Sequence, residues 1–230
     1  MRKTLAALSR AALLLLAVPQ VALAAAPGAP VAVTALSADA VIATPPSVQV
    51  ALDTSAGRIV FELDAARAPG TVANFLAYVD AGHYNGTVFH RIVPNLLVQG
   101  GAFTPDLQPK PERAPVANEA GNGLSNLRGT VAAARRPDSA DSAASQFFIN
   151  VVDNPQFDRS EPEDPLTAGY AVFGRVIEGM DVIDRIRQVE TGASGPFPAR
   201  VPKAPIIINL ARRLDASEQV APPTLPEAVG

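Results

Sequence analysis

Short apolar runs, broken at close intervals by glycine, proline and asparagine, constrain the fold of this chain more than any other feature. Val48–Asp53 and Arg58–Leu63 alternate about a turn at Ser55-Ala56-Gly57, the pattern of a hairpin. Asn85-Gly86 is a turn signal ahead of Val88–Val93. Further strand-like runs lie at Leu96–Gln99, Thr130–Ala134, Gln146–Val152 and Ala171–Ile177, with a closing run at Ile206–Leu210. Only two stretches carry helical spacing. Pro69 opens one, with Val72, Phe75, Leu76 and Val79 at i, i+3, i+4 and i+7 and Gly82 as its stop. Met180–Gln188 is the other, with Val182, Ile183 and Ile186 on one face. Many short strands with two isolated helices predict a mainly β fold, an antiparallel barrel or sandwich, and argue against alternating βαβ units.

The ends of the chain differ from this middle. Arg2, Lys3 and Arg10 precede an apolar core at Ala11–Val18, and Ala22-Leu23-Ala24 offers a small-x-small cleavage site. The apolar core is far shorter than the ~20 residues that span a bilayer. Residues 1–24 are therefore expected to be a cleavable signal peptide, and the mature protein a periplasmic one with no stable membrane insertion. Cleavage removes three basic residues and no acidic one, taking the net charge from −3 to −6. Residues 25–46, rich in Ala, Pro and Val, read as a linker, and 215–230 as a disordered tail. The folded domain is expected over 47–214.

Composition excludes several chemistries. Cysteine is absent, which removes disulfides, thiolate metal sites and a cysteine nucleophile. With only His83 and His90, a multi-histidine metal site is not expected. Nineteen basic against 22 acidic residues leave no cationic excess for nucleic acid. No G-x-S-x-G, Walker or H-E-x-x-H pattern occurs. Gly121-Asn122-Gly123 begins like a dinucleotide fingerprint, but Asn126 stands where its last glycine belongs, and the segment reads as a loop. Asp153, Asp158, Glu161, Glu163 and Asp164 read as a solvated acidic loop, since EF-hand spacing is missing. No cofactor and no metal are expected.

What remains binds rather than reacts. Val88–Pro94 places Arg91 inside an apolar strand, where period-2 alternation puts Phe89, Arg91 and Val93 on one face. A cation there needs a partner or a groove. Gln99 ends the next run with an amide, and Gly100-Gly101 allows another chain to approach closely. Ser145-Gln146-Phe147-Phe148 repeats the combination of amide and aromatic.

These segments carry a resemblance. Phe89–Thr104 (FHRIVPNLLVQGGAFT), Ser145–Asn150 (SQFFIN) and Tyr170–Val176 (YAVFGRV) closely resemble the cyclophilin-type peptidyl-prolyl cis-trans isomerases. Asn118-Glu119-Ala120, Asn122-Gly123-Leu124 and Arg128-Gly129-Thr130 are similar to the bacterial periplasmic branch, and the likeness runs from about residue 48 to 213. It implies an eight-stranded antiparallel β-barrel capped by two helices, with the active groove on its outer surface. The implied substrates are proline-containing unfolded or nascent exported polypeptides, and a monomer is expected.

The resemblance also assigns roles. Arg91 matches the catalytic arginine, whose guanidinium donates to the prolyl nitrogen once amide resonance is lost. Gln99 matches the groove glutamine that orients Arg91 or holds a substrate carbonyl. Phe148 and Leu97 match walls of the proline pocket, with Gln146 beside them, and Ala134 matches the point where substrate backbone binds. Tyr170 stands where periplasmic members have Tyr. Three positions depart from the pattern: Leu96 replaces a Phe, Gln156 replaces an aromatic at the rim, and Phe157 replaces a Leu. Two alternatives stay open, the first motivated by Leu96 and Gln156 and the second by the composition of the chain ends. One is a module that holds proline segments with little isomerase activity; the other is an envelope protein tethered through its Pro/Ala-rich ends. His90 is expected to face away from Arg91 in a structural role, and His83 to sit at a helix C-terminus.

Overall fold

A computed structural model of the chain describes residues 48–160 and 164–221. The expected leader 1–24, linker 25–46, residues 222–230 and part of the acidic run, including Glu161 and Glu163, lie outside the described residues. The elements are β1 Val48–Thr54, β2 Gly57–Leu63, α1 Pro69–Asp80, β3 Thr87–Val88, β4 Arg91–Val93, β5 Leu97–Gly100, β6 Thr130–Ala133, β7 Phe147–Asn150, β8 Val172–Glu178, α2 Met180–Ile186, β9 Thr191–Ser194, β10 Phe197–Pro202 and β11 Ile207–Arg213. The hairpin and both helices fall where periodicity placed them. The β9–β10 hairpin was not expected from the pattern; half of its strand residues are exposed, and the strands lack an apolar alternation.

Nine strands pair antiparallel in the order β3-β11-β1-β2-β8-β6-β7-β5-β4. The two ends of that order, β3 and β4, are consecutive in the chain and separated only by Phe89 and His90. The sheet therefore closes on itself through one continuous run, and counting that run once gives the eight-stranded barrel.

The break at Phe89-His90 corrects one expectation. A single strand over Val88–Val93 would put Phe89 and Arg91 on one face. Phe89 is instead fully buried with Ile92 in the barrel core, while Arg91 is exposed. The chain leaves one ladder and joins another between them, which resets the alternation. Gly100 makes room for this crossing: a Cβ there would lie 2.8 Å from the Phe89 ring and 3.0 Å from the Val88 carbonyl oxygen. The neighbouring Gly101 takes a φ of 100° that other residues avoid.

Inward residues of the strands pack against the apolar faces of both helices. Phe75 of α1 is the aromatic hub, with ring centroids 5.1 Å from Tyr84, 5.1 Å from Phe173 and 5.6 Å from Phe147. Such pairs add about 0.5–1.5 kcal/mol each beyond area burial. The first turn of α1 has no side-chain cap of its own, since Ala68 occupies the N-cap. Glu119, far along the chain, supplies it: its carboxylate accepts from Gly70 N at 3.0 Å, Thr71 N at 2.8 Å and Thr71 Oγ1 at 2.6 Å. Burial pushes the Glu119 carboxyl up, but these hydrogen bonds outweigh it and hold it below its ordinary value.

Residues 215–221, read from composition as tail, are partly docked. Gln49 of β1 is 2% exposed, and its amide exchanges two 2.8 Å hydrogen bonds with the Val220 backbone. A chain ending at 214 leaves that buried amide unpaired, at a cost of about 1–3 kcal/mol. We expect truncation after Ala221 to leave the melting temperature unchanged and truncation after Leu214 to lower it by several degrees. Equal melting of the two would show the Val220 contact to be energetically idle.

His90 is also buried, under the β9–β10 hairpin against Phe103 at 4.6 Å and Phe197 at 5.5 Å, and its Nδ1 has no hydrogen-bond partner. Desolvation first, and the adjacent Arg91 charge second, lower its pKa to about 4. Between pH 6.5 and 4 the unfolded chain thus binds a proton that the folded one refuses. Stability from this group falls as pH drops through that window, by about 3 kcal/mol over its full width. His83 acts in the same direction, with burial the main cause. His90→Leu is expected to flatten the loss of stability between pH 6.5 and 4.5, measured by denaturant unfolding. An unchanged slope would mean that His90 does not carry it.

Candidate active site

Arg91 and Gln99 face one another across the β4–β5 ladder. Arg91 Nη1 donates to Gln99 Oε1 at 3.1 Å, and Gln99 Nε2 donates to Gln146 Oε1 at 2.9 Å. The cation sets the direction of this chain. It can only donate, so the Gln99 carbonyl turns toward it, the Gln99 amide nitrogen turns to Gln146, and the Gln146 amide nitrogen is left for a ligand. Among the described residues no carboxylate pairs with Arg91, whose remaining guanidinium donors are open to the groove.

Beside this polar chain lies an apolar patch on the outside of the barrel. Leu97, Ala132, Phe148 and Val172 form its buried floor, and Val93, Leu96, Leu124, Ala134, Phe157 and Tyr170 pack around them. Three rings enclose it in edge-to-face contact: Phe148 to Phe157 at 5.6 Å, Phe148 to Tyr170 at 5.5 Å and Phe157 to Tyr170 at 5.2 Å. Gln99, Gln146 and Ala134 also line a polar cavity of about 210 Å³, together with Glu112, Arg135, Arg136, Ser142 and Ala144. The small Ala134 thus borders both compartments.

The structure brings together nine of the ten residues singled out from sequence. Gln156 is the exception. It is exposed, and its Nε2 donates at 3.1 Å to Oδ1 of Asn154, the N-cap of its own 3-10 turn Pro155–Phe157. Phe157 takes the aromatic place. Its backbone accepts from Tyr170 N at 2.9 Å and donates to Asn154 O at 2.9 Å, which turns the ring inward and the preceding side chain out. Leu96 sits at the edge of the patch, its carbonyl held by Val151 N at 3.1 Å and Asn154 Nδ2 at 2.9 Å.

A buried amide network fixes this rim. Asn154 Nδ2 donates to Asn150 Oδ1 at 2.8 Å, and Asn150 Nδ2 to Asn126 Oδ1 at 3.1 Å. Asp158 accepts from Asn126 N at 2.8 Å, Asn126 Nδ2 at 2.9 Å and the Ser125 hydroxyl. Burial alone would raise the Asp158 carboxyl, yet these donors bring it below its usual range. Sequence reasoning gave these asparagines no role and missed Leu124, Ala132 and Val172 of the patch, whereas alternation had already put Val93 on the Arg91 face. The strand alternation of Val172 with Phe173 was the one available signal for the latter group. Among the described residues no cluster of three or more His, Cys, Asp or Glu could hold a metal ion.

Nothing in this arrangement is built to form a covalent bond to substrate. It offers a shaped apolar seat, a cation with free donors and directed amides. The model of the family described as "Cyclophilin type peptidyl-prolyl cis-trans isomerase/CLD" matches residues 48–212. Peptidyl-prolyl cis-trans isomerase A of Dickeya dadantii is 51% identical over 166 residues, 72% of this chain and 84% of its own. A peptidyl-prolyl cis-trans isomerase of Streptomyces antibioticus is 54% identical over 165 residues, 72% of this chain and 98% of its own. The crystal structure of a cyclophilin-type isomerase of Cryptosporidium parvum is similar with a TM-score of 0.62 and 25% identity, covering 74% of this chain and 99% of that one. Fold, outer groove and relatives agree: the chain belongs to the cyclophilin-type peptidyl-prolyl cis-trans isomerases, and rotation of X-Pro bonds is its activity.

Proposed function

We propose that Arg91, oriented by Gln99, carries the isomerisation, with the proline ring seated on Leu97 and Phe148 and enclosed by Phe157 and Tyr170. The supporting observation is the Arg91–Gln99–Gln146 chain at the lip of that aromatic patch. The X-Pro amide resists rotation because of C–N double-bond character. As it twists, the nitrogen lone pair is freed from resonance and becomes an acceptor. A guanidinium N–H aimed at that nitrogen binds the twisted amide better than the planar one, and that difference is what accelerates rotation. Gln146 and the backbone at Ala134 hold the substrate chain in line. The groove touches side chain and backbone on either side of one proline, which suits unfolded or nascent polypeptides. The leader expected over 1–24 from its sequence pattern supports action on exported polypeptides in the periplasm, and no extended apolar heptad calls for more than a monomer.

Arg91→Ala is expected to lower kcat/KM on a proline tetrapeptide about 100-fold, about 2.7 kcal/mol of transition-state stabilisation, with little change in melting temperature. Activity within twofold of wild type would refute the assignment. At the rim, Phe157→Ala is expected to raise KM about tenfold, through loss of a ring that touches both Phe148 and Tyr170. Gln156→Ala should change KM less than twofold. The opposite ranking would place Gln156, and not Phe157, against the substrate.

A further inference from the structure

The polar cavity beside the proline seat has a charge asymmetry that bond rotation itself does not require. Arg135 forms part of its wall and is held rigidly. Its Nε donates to Gly169 O at 2.7 Å, its Nη1 to Arg136 O at 3.0 Å, and its guanidinium carbon lies 4.8 Å from the centre of the Tyr170 ring. Two carbonyls and a ring face fix the group without neutralising it. Among the described residues its Nη2 has no acceptor, and no carboxylate forms an ion pair with it.

The neighbouring charges sharpen this picture. The backbone N–H of Arg136 donates to Ser142 Oγ at 2.8 Å, which keeps that residue at the cavity edge. Its guanidinium meets Asp138 at 3.6 Å, but the two side chains are 72% and 83% exposed, so water and salt weaken the pair. Glu112 lines the same cavity, and one of its oxygens already accepts from Ser145 Oγ at 2.7 Å. With Arg91, three guanidinium groups border the groove of a chain whose net charge is −3.

We propose that Arg135 determines specificity, favouring proline segments that carry a carboxylate side chain close to the proline. This rests on the groove being the site of isomerisation. A client carboxylate entering the cavity meets Nη2 of Arg135 and the edge of Arg136 in a recess where screening is weaker than on open surface. A lysine in the same place meets like charge. Because Arg135 also lies against Tyr170, it braces the wall of the proline seat, so a bound carboxylate and a seated proline support one another.

The test is kcat/KM for tetrapeptides with Glu, Gln or Lys at each of the two residues preceding the proline. Glu is expected to exceed Gln about fivefold at one of these positions, through KM, with the advantage shrinking in high salt. Arg135→Gln should bring the Glu:Gln ratio to one; because a ratio is read, any general loss of activity cancels. Glu112→Gln should widen the ratio, and it decides the matter even if Arg135→Gln folds poorly. Equal rates for Glu and Gln at both positions in the wild type, or a preference that survives in Arg135→Gln, would overturn the proposal. Wild-type inactivity on the Gln peptides would instead sink the isomerisation reading of the groove, and the proposal with it.

Discussion

The rest of the structure depends on the crossing of Phe89-His90 past Gly100-Gly101. A barrel must join its first and last strands, and here one short run serves both, ending one ladder at Val88 and starting another at Arg91. The crossing brings backbone and ring within distances that admit no side chain at residue 100. It also reverses the faces. Phe89 and Ile92 both point into the core, so Arg91 between them must point out. Closure of the barrel and exposure of the guanidinium are therefore one geometric event.

Once outside, the guanidinium orders what lies around it. A glutamine beside a neutral group can flip its amide at small cost, but beside a cation that only donates it cannot. That preference passes from Arg91 to Gln99 and on to Gln146, so the amide edge offered to a substrate is set by a charge two side chains away. Such preorganisation matters because donors already aligned need no reorganisation as the peptide bond twists. A lysine at 91 would keep the charge but lose the planar fork that serves Gln99 with one donor and leaves others open to the groove.

Much of this was legible in the sequence, in a graded way. Helical spacing at Val72, Phe75, Leu76 and Val79 and the Ser55-Ala56-Gly57 turn report local rules, and α1 and the β1–β2 hairpin follow them. Arg91 stood out because a cation inside an apolar strand violates alternation, and Gly100-Gly101 because paired glycines mark close approach. The face of Phe89 was misread because period 2 assumes an unbroken strand, and a change of ladder leaves no local mark. Glu119 was invisible as a helix cap because its partners, Gly70 and Thr71, are distant in sequence. The β9–β10 hairpin was hidden by its exposure: alternation reports burial, and those strands bury little.

Strand β7 shows why core and groove cannot be varied independently. All four of its residues are buried, three apolar and one an asparagine, although its two faces do different work. Phe147 and Ile149 point into the barrel, Phe147 touching Phe75 at 5.6 Å. Phe148 forms part of the floor of the outer apolar patch, and Asn150 anchors the amide network that holds the turn bearing Phe157. A one-residue slip of this strand against β5 would exchange core for seat along its whole length. The register Gln99↔Phe148 resists that slip from both sides, since Ile149 fits only the core and Asn150 finds its partners only outside. The same pairing sets the Gln99 amide opposite the aromatic floor, so the interactions that hold the barrel in register also set the spacing between the Arg91–Gln99 pair and the apolar patch.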